Sequence, residues 1–128
     1  MSYYFSTILH SSMEEAIIRT TEALKAEGFG VLTEIDVQAT LKKKIGADFR
    51  PYRILGACNP NYAHKALQSE PHIGVMLPCN VIVQQLDDGT IEVSAVDPMA
   101  SMQAIHNPAL GAIATEVQAK LEQVIKTI

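Results

Sequence analysis

Two segments of the chain place hydrophobic residues at the three-to-four spacing of an amphipathic helix, one near each end. The first covers residues 11–30; it opens with the Ser12/Glu15 pattern of a capping box and closes at Gly28, a residue type favoured just past a helix C-terminus. The second begins with Asn107 as N-cap and Pro108 in the first turn, and runs to residue 128. Both patterns predict long helices that bury one face.

Five other segments have the alternation or the β-branched and aromatic content of strands. They cover residues 3–9, 31–35, 51–57, 72–86 and 91–98. Short helices are predicted after the second and third strands, capped by Asp36 and Asn59 respectively. This order predicts an α+β fold of one domain, residues 1–128, in which a five-stranded antiparallel sheet carries the two long helices on one face.

The predicted fourth strand has an apolar face at the odd positions from Ile73 to Val83, interrupted by Pro78. Proline donates no ladder hydrogen bond, so a bulge or an unpaired edge is expected there. A three-residue loop, 88–90, with Gly89 in the left-handed conformation would pair Val81 with Asp97. Cys79 would then lie diagonally from Asp97, with Cβ atoms ~7–8 Å apart.

Composition changes this picture mainly by suggesting a partner. The chain has 128 residues, 48% of them hydrophobic, which suits one domain with a real core. Charged residues make up 19%, fewer than is typical, so part of the surface is expected to be buried in a homodimer. The net charge of −4 argues against nucleic acid as a partner. The sequence shows no signal-peptide pattern and no membrane span, so a cytoplasmic protein with reduced thiols is expected.

The two cysteines of the chain sit in similar settings, Cys58-Asn59 and Cys79-Asn80, each at an apolar run. Cys58 directly precedes a predicted helix, whose free amides favour a thiolate or an anion. Cys79 belongs to the apolar face of its strand. We therefore predict a thiol-containing site that binds a small ligand or ion, with the asparagines as hydrogen-bonding groups and Asp97 as a carboxylate partner. His64 is a further candidate, although its helix position disfavours it as a base for Cys58.

Several other interpretations of these residues stay open. The cysteines are inert core residues if the protein is a structural or interaction dimer module. A metal site would use Cys58 and Cys79 with His72, His64 or Asp97, but the chain has no closely spaced cysteine pair. A redox pair or a thiol-dependent enzyme would need the two thiols to meet in space or one to be activated. The residues assign no cofactor and no catalytic group.

The segments "GACNP" and "LPCN", with "DVQATLKKKIGADFRPYRIL" before them and "VDP" after them, resemble the bacterial and archaeal family called domain of unknown function 302. The resemblance extends over essentially the whole chain. It implies the TATA-binding-protein-like fold, β-α-β4-α, and a homodimer. The motif positions that the resemblance implies are Gly56, Ala57, Cys58, Asn59, Pro60, Pro78, Cys79, Asn80, Asp97 and Pro98, with Lys44 as an additional position.

That family has no established activity, so the resemblance implies a fold and a motif but no reaction. DNA binding by the fold's namesake does not transfer either, because fold does not fix function and the net charge opposes it.

Overall fold

Five strands pair in the spatial order β1-β5-β4-β3-β2, and every neighbouring pair is antiparallel, in a computed structural model that describes residues 2–128. The strands are β1 Tyr4–Leu9, β2 Gly30–Asp36, β3 Tyr52–Cys58, β4 Cys79–Gln85 and β5 Ile91–Val96. The strand β3, predicted from an apolar run, lies inside the sheet between β2 and β4. The edges are β1 and β2, and β2 carries a bulge between Val31 and Thr33.

Two long helices and several short ones complete the fold. They are α1 Met13–Ala26, α2 Val37–Ile45, α3 Pro60–Ser69, α4 Pro98–Ser101 and α5 Pro108–Thr127, with a 3-10 helix at Pro71–Met76. Without the short helices the order is β-α-β4-α, which confirms the predicted α+β architecture. None of the helices in residues 2–128 has the length and hydropathy needed to cross a bilayer.

The core lies between the sheet and the two long helices. Leu24 of α1 and Leu121 of α5 are fully buried against the odd-numbered face of the central strands, which includes Leu55, Val83 and Val93. Each fully buried side chain of this size contributes roughly 1.5–3 kcal/mol of burial free energy. The apolar stripes of the two long helices are therefore accounted for by one common core.

Local capping signals place the helix ends as the sequence predicted. Ser12 Oγ accepts a hydrogen bond from the Glu15 amide at 3.1 Å, and Asp36 accepts one from the Ala39 amide at 2.9 Å. Asn107 caps α5 by accepting from the Ala109 amide at 3.1 Å. Gly28 follows α1 with φ +87°, the left-handed conformation in which glycine has no steric penalty.

The predicted fourth strand is wrong in its first half. Residues 71–76 form a 3-10 helix, which begins with Pro71 and is capped by the Glu70 side chain. Val75, predicted to be buried, is 84% exposed, whereas Ile73 is fully buried in a small cluster of its own. Strand β4 begins only at Cys79, directly after Pro78, because the proline nitrogen has no hydrogen to donate to the ladder.

The predicted hairpin register is also wrong, by two residues. Val81 pairs with Ala95 and Val83 with Val93, so the loop consists of residues 87–89 and not 88–90. Gly89 does adopt the left-handed conformation, with φ +85°, but as the last loop residue, where it donates to the Leu86 carbonyl. The parity of the prediction holds: Val81, Val83, Ile91, Val93 and Ala95 all face the core.

We call the opposite face of the sheet the outer face. It carries the even-numbered residues of β1, β4 and β5, together with Ile35 of β2 and Ile54 of β3. Tyr4, Ile8 and Ile35 are 43–48% exposed on it. Ser94 lies in the middle of this face yet is buried, and within residues 2–128 its hydroxyl has no hydrogen-bond partner. The outer face therefore combines exposed apolar surface with an unsatisfied hydroxyl.

Candidate functional site

The β3–β4 ladder brings the two Cys-Asn segments side by side. Ala57 pairs with Cys79 and Gly56 with Asn80, so Cys58 is the chain neighbour of the residue directly opposite Cys79. Both cysteines are free thiols and half-buried. Residues 21 positions apart along the chain thus come together where β3 ends and β4 begins.

Both cysteines line one cavity of about 370 Å³, which we call the thiol cavity. Its floor is made by the adjoining ends of β3 and β4, its walls by α3, α5 and the segment around Leu77. Its lining includes Thr33, Ala57, Cys58, Asn59, Tyr62, Ala63, Leu77, Pro78, Cys79, Pro98, Met102, Ile113 and Ala114. Ligand sites in proteins commonly have volumes of ~300–1,000 Å³, so this cavity suits a small molecule.

The thiol cavity is apolar, although the sequence suggested a polar recess. None of the described residues that line it is charged, and its polar side chains are limited to Thr33, Asn59, Tyr62 and the two thiols. The difference arises from residues 71–78, which do not extend β4 but fold over this end of the sheet and place Leu77 and Pro78 in the lining. An apolar lining favours apolar ligand groups over ions.

The environment of Cys79 keeps its thiol protonated. Burial, and secondarily the charge that Cys58 would carry when ionised, raises the pKa of Cys79 to about 11. At neutral pH Cys79 therefore presents a neutral S–H, which packs against the core as a small apolar group. The thiolate is the reactive form of cysteine, so this position is a poor nucleophile.

Asn59 takes the N-cap position of α3 but does not cap it with its side chain. Its Nδ2 instead lies 3.5 Å from the Glu27 carbonyl oxygen, at the end of α1. Cys58 thus lies directly before the first turn of α3, as the sequence predicted. The side chain of Asn59 joins α3 to α1 and borders the thiol cavity.

Gly56 explains how the two segments pack so closely. A Cβ built at this position would collide with Thr33 Oγ1 and would lie 2.8 Å from Cγ of Pro78. A residue with a side chain therefore requires Thr33 or Pro78 to move. The glycine of "GACNP" and the proline of "LPCN" thus pack directly against each other.

The remaining candidate residues lie outside the thiol cavity. Asn80 pairs with Gly56 and is exposed on the outer face of the sheet. His64 is exposed on α3, and the side chain of His72 is 92% exposed beside Glu70. Within residues 2–128 no group of three or more His, Cys, Asp or Glu side chains could hold a metal ion. The structure therefore gathers Cys58, Asn59 and Cys79, but not the histidines or Asn80.

Asp97 caps α4 and faces a different cavity. Its Oδ1 accepts hydrogen bonds from the Met99 amide and from Gln118 Nε2, both at 3.0 Å. The observed register places residue 97 level with residue 79, but β5 ends at Val96 and the chain turns away at Pro98. Asp97 is thus mainly an Asp-Pro turn residue of the kind that binds its own backbone.

Several lining residues were missed by sequence reasoning. Tyr62 and Ala63 belong to the apolar stripe of α3, which suggested simple core packing. Ile113 and Ala114 belong to the stripe of α5, and Met102 lies in the segment between β5 and α5. Partial burial, and then the nearby Glu116 carboxylate, raises the pKa of Tyr62. The apolar stripe of a helix shows which face is buried, but it does not show where two packed helices leave a cavity between them.

Comparison with known proteins identifies the family. The family model described as "Domain of unknown function DUF302" matches residues 5–128. The chain belongs to the DUF302 family.

A solved DUF302 structure supports both the family and the fold. The crystal structure of an uncharacterized conserved DUF302 protein from Bacillus stearothermophilus is 33% identical, with a TM-score of 0.91. The match covers 99% of this chain and 98% of the other. No protein of curated function matches the chain. The predicted family is confirmed. Cys58, Pro78 and Cys79 line the thiol cavity, and Gly56 lies against Pro78 of its lining.

Proposed function

We propose that this DUF302 protein binds a small, mostly apolar molecule in the thiol cavity. One observation carries the proposal: an apolar cavity of about 370 Å³, partly open to solvent, lies where the two Cys-Asn segments meet, and both thiols border it. The apolar lining is in contact with water when the cavity is empty, so a ligand that covers it gains the free energy of burying apolar surface.

The cysteines have a defined role in this proposal. A protonated Cys79 offers the ligand a polarisable, weakly hydrogen-bonding surface, and Cys58 with Asn59 supplies the polar groups at the start of α3. The neutral state of Cys79 speaks against a thiol-dependent enzyme that uses this residue as nucleophile. Ligand binding, with no reaction at Cys79, is the function that the geometry supports best.

Calorimetric titration with phenylbutanol and indole tests the proposal. Ala63→Phe places a ring in the thiol cavity, so it should weaken binding at least tenfold, about 1.4 kcal/mol. Ala119→Phe adds the same ring on the exposed side of α5 and should bind like the wild type. The proposal fails if neither probe binds the wild type, or if both variants bind equally well.

We also propose that the protein is a homodimer that uses the outer face of the sheet. Exposed Tyr4, Ile8 and Ile35 provide apolar surface that a second copy would cover. The charges of the same face suit self-association. Arg50 donates to Gln84, which donates to Glu92, so a copy related by a two-fold axis finds both signs of charge.

We further propose a cytoplasmic location for this dimer. Its two cysteines are unpaired, and thiols persist in the reducing cytoplasm. Cell fractionation, with alkylation of free thiols before lysis, tests this: recovery of both cysteines as alkylated residues from the soluble cytoplasmic fraction is expected.

A further inference from the structure

A second cavity, of about 420 Å³, adjoins the thiol cavity. We call it the Asp97 cavity; the residues that matter here are Asp97, Met102, Ala114 and Gln118. Met102 and Ala114 line both cavities, and Pro98, which lines the thiol cavity, directly follows Asp97 in the chain. The two cavities therefore share part of their walls.

The two cavities differ in electrostatic character. Asp97 is the one charged residue among the described residues that line the Asp97 cavity, and the others are neutral. Within residues 2–128, both hydrogen bonds to its carboxylate, from the Met99 amide and Gln118 Nε2, go to Oδ1. Oδ2 is thus left to accept from another donor. A half-buried carboxylate with one such oxygen selects a cationic donor.

Met102 belongs to this shared wall. It packs at the border of the small apolar cluster around Ile73 and Leu110. A methionine side chain is unbranched, has three rotatable bonds and adapts readily to new neighbours. A change of Met102 rotamer is therefore the simplest way to open a passage between the two cavities.

We propose that the ligand is a cationic amphiphile, an amine on an apolar aryl or alkyl body. The apolar body occupies the thiol cavity and the ammonium group binds Asp97 Oδ2 beyond Met102. This inference rests on the proposed function, because it assigns a chemical class to the ligand of the same site. It also gives Asp97, which lies outside the thiol cavity, a role in that site.

A matched pair of probes, phenylbutylamine and phenylbutanol, tests the inference by calorimetric titration. The two share one apolar body and differ only in the head group. The wild type should bind the amine roughly tenfold more tightly than the alcohol. Asp97→Asn keeps the amide oxygen that caps α4, so this variant should remain folded and bind both probes equally, with the affinity for the alcohol unchanged.

A second variant separates specific recognition from the general attraction of an acidic protein for cations. Glu122→Gln removes one negative charge from α5 outside both cavities and should keep the tenfold preference. If the wild type binds both probes equally, or if Glu122→Gln loses the preference as Asp97→Asn does, the inference fails while the thiol cavity stands. If neither probe binds, the proposed function fails with it.

Discussion

Ala57 of β3 and Cys79 of β4 are direct partners across the antiparallel ladder. This pairing holds Cys79 against the core and places it opposite the residue that precedes Cys58 in the chain. The pairing explains how a buried thiol and a helix-preceding thiol come to border one cavity. It also makes the protonation of Cys79 a property of the fold, because the burial that raises its pKa is lost on unfolding.

The first prediction concerns stability at high pH. The folded protein raises the pKa of Cys79 to about 11, whereas an unfolded cysteine ionises near pH ~8.5. A raised thiol pKa means that the folded state prefers the neutral form. The stability that the protonated Cys79 contributes is therefore complete below pH ~8.5 and is lost as the pH rises toward ~11. The free energy of unfolding of the wild type should fall by about 2–3 kcal/mol more than that of Cys79→Ala over this range.

Urea denaturation of both proteins at several pH values measures this difference, and lysine and tyrosine titrations cancel in the comparison. Cys58→Ala serves as the control, because burial is the larger cause of the shift and this variant keeps Cys79 buried. Parallel curves for the wild type and Cys79→Ala would contradict the prediction.

The second prediction concerns the contact between Gly56 and Pro78. Gly56→Ala should lower the free energy of unfolding by about 1–3 kcal/mol, because the new methyl group meets Thr33 and Pro78. Gly74→Ala is the matched control: no atom lies within 4 Å of a Cβ at Gly74, so a change within about 0.5 kcal/mol is expected. Equal effects of the two variants, measured by denaturant titration, would show that the Gly56 contact relaxes without cost.

The third prediction separates the structural role of Asp97 from its proposed binding role. Asp97→Ala removes the acceptor for the Met99 amide and Gln118, so it should lower stability by about 0.5–2 kcal/mol. Asp97→Asn keeps this acceptor and should change stability by a few tenths of a kcal/mol. Thermal unfolding of the two variants is the measurement, and a large loss in Asp97→Asn would show that the negative charge itself stabilises the fold.

The fourth prediction concerns self-association through the outer face. Sedimentation velocity should show a dimer for the wild type and a monomer for the double variant Ile8→Glu with Ile35→Glu, because two charges would be buried unpaired in the interface. Ile18 lies on α1 and is more exposed than either of these residues, and the Ile18→Glu variant should remain a dimer. A monomeric wild type, or dissociation by Ile18→Glu, would remove the outer face as the interface.

Local signals in the sequence predicted most of the fold. Caps such as Ser12 and Asp36, the stripe of α5 and the odd-numbered face of β5 depend on neighbours within a few residues, and the structure confirms them. Residues 72–76 show why alternation alone is insufficient. Their apolar pattern resembles that of a strand, but Pro71 and the Glu70 cap begin a 3-10 helix, and Pro78 delays the ladder until Cys79.

The site was predictable only where it depends on the sheet. The odd-and-even alternation along β4 correctly placed Cys79 on the core face. The register of the hairpin also depends on which of the three loop positions Gly89 occupies, and alternation does not determine that position. The apolar lining of the cavity depends in part on Met102 and Ile113, which belong to the last part of the chain. No local pattern reveals how such distant segments pack around Cys58.

The interlock of Gly56 with Pro78 and Thr33 also restricts how this protein can diverge. The three residues occupy one small volume, contributed by three adjacent stretches of the chain. A replacement of the glycine costs less stability once Thr33 or Pro78 has been replaced by a smaller residue, because the new side chain then has space. Substitutions at these three positions should therefore accumulate together and in a preferred order.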